Sequence, residues 1–342
     1  MRLAVPLAAA LALALPAAAQ AATVTATYRE DEGYKGNVYV YSEVEFEAAP
    51  GEANALTVER DGGDLVFRDG GAELRAAGRC AQVDAHTARC TPGPGTTFSD
   101  AGRIVLGDGA DSLTAPGGTY GPMAYGGDGD DRLTLTGGAG WLEGGGGADV
   151  LTGGERLSGG VGADRLDGGA GRDQLDGGDG EDSIEGGEGF DMVGFGGYLG
   201  GLAVDLGDPR PDGPVGGALD SLTGVEGVYG GPNADTIRGD AGPNALTGGG
   251  GNDVLSGRDG ADVLKGDGGA DVLKGEDGDD RLSDARGGNR MSGGPGDDVL
   301  DLGFEAAPRA DRVACGPGAD TVSKPQARVL FPLDCERAEL HG

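Results

Sequence analysis

The sequence predicts an all-β solenoid, a fold in which short strands stack at a regular interval along one axis. From Gly126 to Asp301 a nine-residue unit recurs, with two glycines first, an aspartate at the sixth position and Leu, Ile or Val at the eighth. Self-similarity at a fixed period is typical of stacked repeat folds. Glycine accounts for 75 and proline for 17 of the 342 residues, a composition otherwise typical of disordered chains. The strict spacing of a carboxylate and an aliphatic residue favours order.

The copies of the unit fall into two runs. Those from Gly159 to Gly194 read GGVGADRLD, GGAGRDQLD, GGDGEDSIE and GGEGFDMVG. Those from Gly230 to Asp301 read GGPNADTIR, GDAGPNALT, GGGGNDVLS, GRDGADVLK, GDGGADVLK, GEDGDDRLS, DARGGNRMS and GGPGDDVLD. The glycine-rich half of each unit predicts a tight turn, because glycine tolerates backbone conformations that bulkier residues resist. The other half predicts a short parallel strand whose aliphatic side chain points inward, as at Leu166, Leu175, Ile184, Leu255, Leu264, Leu273 and Leu282.

The charge balance narrows the classes of partner. With 26 Lys and Arg against 58 Asp and Glu, the formal net charge is -32. Such a chain repels nucleic acids, which are polyanions, so we expect no nucleic-acid partner. Because many of the aspartates fall on one phase of the repeat, metal cations are the expected partners.

The first residues predict export of the protein. A charged start, an Ala/Leu-rich run and small residues near Ala21 are typical of a signal peptide, which we assign to residues 1–21. No later stretch is as apolar and as long as a membrane span. We therefore expect a secreted, extracellular protein that does not insert into a membrane.

The four cysteines agree with an oxidising compartment. Cys80 lies close in sequence to Cys90, and Cys315 to Cys335. Four cysteines allow three pairings, of which two local disulfides are the simplest. The alternative for the first pair is a zinc site that includes His86, which lies between the two cysteines.

The order of composition changes predicts the domain organisation. Alternating β-rich stretches precede the repeats, and residues 195–229 interrupt them with a Pro/Gly loop. We interpret that interruption as an irregular coil with an insertion loop; the alternative is a linker between two independent rolls. The expected segments are a signal peptide (1–21), an N-terminal β region or cap (22–105), a first repeat block (106–194), the irregular coil (195–229), a second repeat block (230–303) and a disulfide-closed C-terminal cap (304–342).

The nine-residue copies resemble the hemolysin-type calcium-binding repeat, also called the RTX nonapeptide, over roughly half the chain. The resemblance implies a right-handed parallel β-roll in which two units form one coil. It also implies Ca²⁺ ions between the turns of repeat n and repeat n+2, held by backbone carbonyls and by the sixth-position aspartates of both. Calcium prefers such hard oxygen ligands.

With two units per coil, alternate copies lie on the same edge of the roll. LTGGAGWLE has Gly140 in place of the aspartate, and the shortened copy GGERLS near Arg156 has lost the residues that would contain it. Both defects fall on one edge. In the first block we therefore expect Asp131, Asp149, Asp164 and Asp182 along the intact edge, and only Asp173 and Asp191 along the other.

Same-edge neighbours predict about eight strong calcium sites and a few weaker ones. The expected pairs are 131/149, 149/164, 164/182, 173/191, 235/253, 253/271, 262/280 and 280/298. Sites that use Asn244 or Asn289 should be weaker, because an amide oxygen has no charge. With both edges mostly intact, the second block should be the more strongly calcium-stabilised half. Its predicted ligands are Asp235, Asp253, Asp262, Asp271, Asp280 and Asp298.

The sequence gives little sign of catalysis. It contains neither a His-Glu-x-x-His zinc motif nor a Gly-x-Ser-x-Gly nucleophile motif. We expect no enzyme and no catalytic residue, but a secreted structural or surface-interaction protein with a possible cell-surface or polysaccharide partner. The alternative is an accessory or catalytic module acting on an extracellular polysaccharide, with Trp141, Tyr198 and Tyr229 as sugar-stacking aromatics.

Overall fold

A computed structural model describes residues 21–32, 38–93, 98, 102–118, 121–214, 217, 219–284, 286–303, 311–323, 335 and 337–339. Within these ranges the chain forms 33 β-strands and no helix. The expected all-β solenoid is therefore confirmed. The expected signal peptide lies outside the described residues, apart from Ala21.

Strands before the repeats form an N-terminal cap. They are β1 (Ala22–Glu32), β2 (Val38–Glu47), β3 (Ala55–Asp61), β4 (Asp64–Asp69), β5 (Leu74–Gly78), β6 (Cys80–Asp84) and β7 (Thr87–Cys90). Antiparallel pairing joins β1 to β2, β3 to β4, β4 to β7 and β6 to β7. Parallel pairing then joins β2 to the first strand of the solenoid, on one face, and β3 to the second strand of the solenoid, on the other face. The cap thus pairs with the strand edges at which the solenoid begins, edges that would otherwise be free to recruit other chains.

Regular strands follow through the first block. They are β8 (Arg103–Asp108), β9 (Ser112–Pro116), β10 (Met123–Asp128), β11 (Arg132–Thr136), β12 (Trp141–Gly146), β13 (Val150–Thr152), β14 (Arg156–Val161), β15 (Arg165–Gly171), β16 (Gln174–Asp179), β17 (Ser183–Gly189) and β18 (Met192–Gly194). From β8 to β16, each strand pairs in parallel with the strand two further along the chain, for example Leu133 with Leu151. Two nine-residue units therefore make one coil.

The remaining strands complete the solenoid. Those of the interruption are β19 (Leu202–Asp205), β20 (Gly213–Pro214), β21 (Ser221–Thr223) and β22 (Gly227–Tyr229). Those beyond it are β23 (Thr236–Arg238), β24 (Ala245–Gly250), β25 (Val254–Asp259), β26 (Val263–Gly268), β27 (Val272–Asp277), β28 (Arg281–Ser283), β29 (Arg290–Ser292), β30 (Val299–Asp301), β31 (Arg312–Ala314), β32 (Thr321–Ser323) and β33 (Arg337–Glu339).

Three sheets result, and only one passes the interruption. This continuous sheet has the strand order β33-β32-β30-β28-β26-β24-β22-β18-β16-β14-β12-β10-β8-β2-β1-β5. The opposite face consists of a first-block sheet, β21-β17-β15-β13-β11-β9-β3-β4-β7-β6, and a second-block sheet, β20-β19-β23-β25-β27-β29-β31. At the interruption Val193 of β18 is in register with Val228 of β22. The two blocks therefore share one face, and the alternative of a linker between independent rolls is wrong.

A single apolar core runs along the axis. It contains the eighth-position side chains of the repeats and extends from Ala22 in the cap to Val322 in β32. Phe195, Val204 and Val225 continue it through the interruption. Burial alternates along the strands, as in Arg132–Thr136, where only Leu133 and Leu135 are buried. The inward position expected for the aliphatic residue is confirmed.

The repeat continues beyond Asp301, where the sequence analysis ended it. Leu300 of β30 is in register with Val322 of β32, the strand that ends residues 315–323. These nine residues keep the spacing of the unit but have a cysteine at the first position, and they lie in the part of the chain that the sequence analysis assigned to the cap. Cys315 forms a disulfide with Cys335, and Cys80 forms one with Cys90. Both predicted disulfides are confirmed.

The packing predicts a sharp contrast between two adjacent side chains of β26. Leu264 is fully buried, whereas Val263 is 45% exposed. In calcium-containing buffer we expect Leu264→Ala to lower the free energy of unfolding by about 2–5 kcal/mol, because it leaves a cavity in the core. Val263→Ala, the matched control, should change it by less than about 0.5 kcal/mol. Urea unfolding followed by circular dichroism measures both, and equal losses would contradict the inward packing of Leu264.

Candidate metal centres

A row of turn residues runs along the edge of the first-block sheet. Each residue directly precedes a strand, and its backbone N–H donates to the side-chain oxygen of the equivalent residue one coil further on. The N···O distances are between 2.6 and 3.0 Å. This row, which we call column one, consists of Asn54, Asp111, Asp131, Asp149, Asp164, Asp182 and Asp220.

Two further rows have the same construction. Column two, along the continuous sheet, consists of Asp173, Asp191, Glu226, Asn244, Asp262, Asp280, Asp298 and Asp320. Its side chains accept N–H groups at 2.8–3.0 Å, except between Glu226 and Asn244, where the Asn244 amide donates to the Glu226 carbonyl at 3.4 Å. Column three, along the second-block sheet, consists of Asp235, Asp253, Asp271, Asn289 and Asp311, with distances of 2.9–3.0 Å.

The eight same-edge pairs expected from the sequence are all hydrogen-bonded neighbours in these columns. The defect expected on one edge is also present. Gly140 precedes β12 where column two would need a carboxylate, and the shortened copy places the exposed Glu155 before β14. Column two therefore begins only at Asp173.

Five acidic members of the columns were missed by the sequence analysis, namely Asp111, Asp220, Glu226, Asp311 and Asp320. The aspartates among them stand two residues before an inward aliphatic residue, as in Asp-Ser-Leu and Asp-Thr-Val. That short signal could have found them. Before Asp311 the glycines that mark the repeat are lost, and before Asp220 the first and fourth positions of the unit are Val215 and Ala218. The position of both aspartates therefore became evident only from the strand register.

Each column aspartate is at most 3% exposed. One carboxylate oxygen, Oδ1, accepts the backbone N–H of the preceding column member. The other oxygen, Oδ2, is buried without a hydrogen-bond partner in most of them. Leaving a buried charge unpaired is costly. Asp235 differs, because its Oδ2 accepts the Gly231 N–H at 2.8 Å. The unpartnered oxygens are those of Asp111, Asp131, Asp149, Asp164, Asp173, Asp182, Asp191, Asp220, Asp253, Asp262, Asp271, Asp280, Asp298 and Asp320.

The first glycine of each unit faces these oxygens. A Cβ on Gly275 would collide with the free Oδ2 of Asp280 and with the carbonyl oxygen of Gly293 in the next coil. The same pairing of a carboxylate oxygen with a next-coil carbonyl recurs at Gly126, Gly144, Gly159, Gly168, Gly239 (an amide oxygen here), Gly257 and Gly293. The turns thus form cradles of oxygen atoms that any side chain at this position would fill. Oxygen-only cradles suit a hard divalent cation such as Ca²⁺.

Burial raises the pKa of many column aspartates. It raises that of Asp131 and Asp253 to about 7 and that of Asp164 and Asp262 to about 6. The negative charges of column neighbours add to the increase for Asp131, as Asp111 and Asp149 do. Without a cation, ionising these groups at neutral pH therefore opposes the folded state.

Side chains alone do not complete a chelating site. Across the described ranges, no three His, Cys, Asp or Glu side chains come together in a group that could hold a metal. Backbone carbonyls must supply the other ligands, as the cradles at the glycines allow. The alternative zinc site is wrong, because Cys80 and Cys90 are joined in a disulfide and His86 Nδ1 hydrogen-bonds the Ala72 carbonyl at 2.8 Å.

A comparison with protein-family models agrees with the hydrogen-bonded columns and the oxygen cradles. The model described as the RTX calcium-binding nonapeptide repeat, in four copies, matches residues 125–155, 158–193, 229–264, 256–283 and 275–304. No curated protein matches the chain. The matched segments of this protein are thus RTX calcium-binding nonapeptide repeats, as the resemblance of the nine-residue copies implied.

Proposed function

We propose that this calcium-binding β-roll protein is secreted and that its repeats fold only when Ca²⁺ occupies the three columns. The observation that carries the proposal is the rows of buried aspartates whose Oδ2 atoms have no hydrogen-bond partner. A metal ion beside each would supply the missing partner and neutralise the charge. Because ligands assembled from successive coils do not exist in the unfolded chain, binding free energy becomes folding free energy.

The magnitude of the repulsion supports this coupling. Parallel strands lie about 4.8 Å apart, so adjacent column carboxylates are roughly 5 Å apart. Their repulsion is about 0.8 kcal/mol per pair in bulk water and about 3 kcal/mol at an effective dielectric constant near 20. Most repeat strands contribute a single inward aliphatic side chain, such as Leu273, which offsets little of the entropy lost on ordering the backbone. The metal-free columns therefore oppose folding.

The ligands we propose are the twelve aspartates expected from the sequence, together with four from the missed set, Asp111, Asp220, Asp311 and Asp320. Asp235 should bind more weakly than the others, because the Gly231 N–H occupies its second oxygen. At Asn244 the first position of the unit is still a glycine, Gly239. Because the Asn244 amide is uncharged, this turn should bind calcium more weakly than the turns that contain an aspartate.

We further propose that the role is structural or surface-interacting rather than catalytic. The sequence lacks the two catalytic motifs sought above, and no residue of the columns is arranged as a nucleophile with a base. The part of the chain that the structure describes has no helix of the length and apolarity needed to cross a bilayer. Calcium ions are partners that suit a chain of net charge -32.

A second candidate function is polysaccharide binding, which one groove favours. This groove, of about 420 Å³, lies on the outer side of the continuous sheet and is lined by Trp141, Arg156, Gln174, Met192 and Tyr229, among others. The Arg156 guanidinium lies 5.6 Å from the centre of the Trp141 ring. Aromatic rings beside polar side chains are suited to stacking on sugars and hydrogen-bonding their hydroxyls.

Tyr198, the third aromatic residue suggested by the sequence, does not line this groove. Its hydroxyl donates to the Gly178 carbonyl, and its ring packs against Phe195 with the centres 5.7 Å apart. These contacts support a packing role for Tyr198, and we leave it out of the proposed sugar-stacking set.

The folding of the repeats should depend on calcium. After chelator treatment we expect the far-UV circular dichroism signal of β-structure to be largely lost, and to return on titration with millimolar calcium. Isothermal titration should give about eight or more bound ions. Asp280→Asn should lower the number of tightly bound ions, whereas Asp277→Asn, at an exposed position of the same unit, should not. A spectrum unchanged by calcium, or only one or two bound ions, would contradict the proposal.

The folding of the metal-free protein should depend on pH. Because the folded-state pKa of Asp131, Asp220 and Asp280 is raised to about 7, the metal-free folded chain binds more protons than the unfolded chain between about pH 4 and 7. Its stability should therefore fall as the pH rises through that window. Protein freed of calcium on a chelating resin should therefore have a larger far-UV circular dichroism signal of β-structure at pH 5 than at pH 8. Added calcium should reduce the difference, and a metal-free signal of β-structure that is larger at pH 8 than at pH 5 would refute this account.

Polysaccharide binding in the groove should depend on Trp141. If the protein binds polysaccharides in calcium, a glycan array should show binding that Trp141→Ala abolishes, because the indole ring supplies the stacking surface. Val161→Ala, at a residue that is 61% exposed and outside the groove, should leave binding intact. Absence of binding by the wild-type protein, or equal binding by both variants, would eliminate this second function.

A further inference from the structure

One copy of the unit, residues 284–292, departs from the pattern at two positions at once. Asp284 stands where the other copies of the second run have a glycine, and Asn289 stands where most of them have an aspartate. Both residues belong to the turn that precedes β29, on the edge of column three. The copy therefore loses one carboxylate at its sixth position and gains one at its first.

The added carboxylate points into the cradle of the preceding coil. At the regular positions, a Cβ on the first glycine would meet the aspartate of its own unit and the backbone carbonyl of the next coil, as at Gly257 and Gly275. At Gly266 the two nearest atoms are instead carboxylate oxygens, Oδ2 of Asp284 and Oδ2 of Asp271. The side chain of Asp284 thus stands where a carbonyl oxygen stands elsewhere.

Burial leaves one oxygen of the Asp284 carboxylate without a hydrogen-bond partner. Asp284 is 3% exposed, and its Oδ1 accepts the Arg286 N–H at 3.2 Å. Its Oδ2 has no hydrogen-bond partner, and neither has Oδ2 of Asp271. Two ionised oxygens that are buried and directed at one point repel each other, and a proton or a cation between them relieves the repulsion.

We propose that Asp284 is a calcium ligand that replaces the carboxylate missing at Asn289, so that Asp271 and Asp284 together hold one ion in column three. The inference rests on the proposed calcium-dependent folding and deepens it by assigning a ligand outside the sixth position. Two carboxylates and an amide at this turn give the site the charge of an uninterrupted column. The weaker site expected at Asn289 from the sequence is then a strong one.

The other copy with asparagine at its sixth position provides an internal comparison. Its first residue is Gly239, and a Cβ there would meet only the Asn244 amide oxygen and the Gly257 carbonyl among its nearest contacts. The carboxylate that follows, Asp240, uses its Oδ1 to accept the Gly242 N–H at 2.7 Å. That cradle has no second carboxylate in place of the missing one, so the two asparagine turns should differ in affinity.

The experiment uses the full chain and counts tightly bound calcium by equilibrium dialysis and by isothermal titration. Asp284→Asn, which removes the charge but keeps the size of the side chain, should lose one tightly bound ion. The double variant Asp284→Gly with Asn289→Asp, which restores the usual pattern of the unit, should regain it. Asp240→Asn, the matched control in the other asparagine copy, should bind as many ions as the wild type.

The outcomes separate this inference from the proposed function. If the wild-type protein binds no calcium and its circular dichroism does not respond to the metal, the proposed function fails and this inference fails with it. If the wild type binds but Asp284→Asn keeps every tight site, only the inference is overturned. A loss of fold in Asp284→Asn that the double variant does not reverse would also overturn it, because it would assign Asp284 a packing role.

Discussion

Successive coils of this solenoid are joined at their turns by a hydrogen bond between the backbone N–H of one aspartate and the carboxylate of the next. The bond is repeated in all three columns, with N···O distances near 2.8 Å, as between Asp164 and Asp182. It occupies one oxygen of most column carboxylates, whose other oxygen is buried and unpartnered. The same contact that sets the register of the coils therefore creates the demand for a cation.

Glycine at the first position follows from this constraint. The free carboxylate oxygen and the carbonyl of the next coil converge where a Cβ would lie, so that a side chain and an ion would compete for the same space. Asp284 is the described exception in the second run, and its own carboxylate takes the place of a carbonyl oxygen there. The requirement is thus for oxygen atoms in the cradle, and glycine is the usual way to leave room for them.

The interruption between the blocks shows how the solenoid tolerates irregular sequence. On one face β18 pairs directly with β22, so the continuous sheet and the apolar core pass without a gap. On the other face two separate sheets end there, and the added strands β19 and β21 pair with different sheets. The register of column one survives as well, because Asp182 still donates to Asp220 across 38 residues at 3.0 Å. Turn geometry, rather than coil length, is what the columns preserve.

Much of this protein could be predicted from the sequence, because a period of nine residues fixes both the strand spacing and the phase of the aspartates. The all-β solenoid, the inward row at Leu264 and its equivalents and the pairing of twelve aspartates along edges all follow from it, and the spacing of the cysteines predicted both disulfides. The sequence could not place Asp220 or Asp311, because residues whose flanking glycines are lost or out of position are assigned to a column only by the strands that follow them. Nor could it decide whether the blocks were joined, since that depends on which strands pair across residues 195–229. The direction of the Asp284 carboxylate was likewise decided only by the tertiary structure, because the cradle it enters is formed by a different coil of the chain.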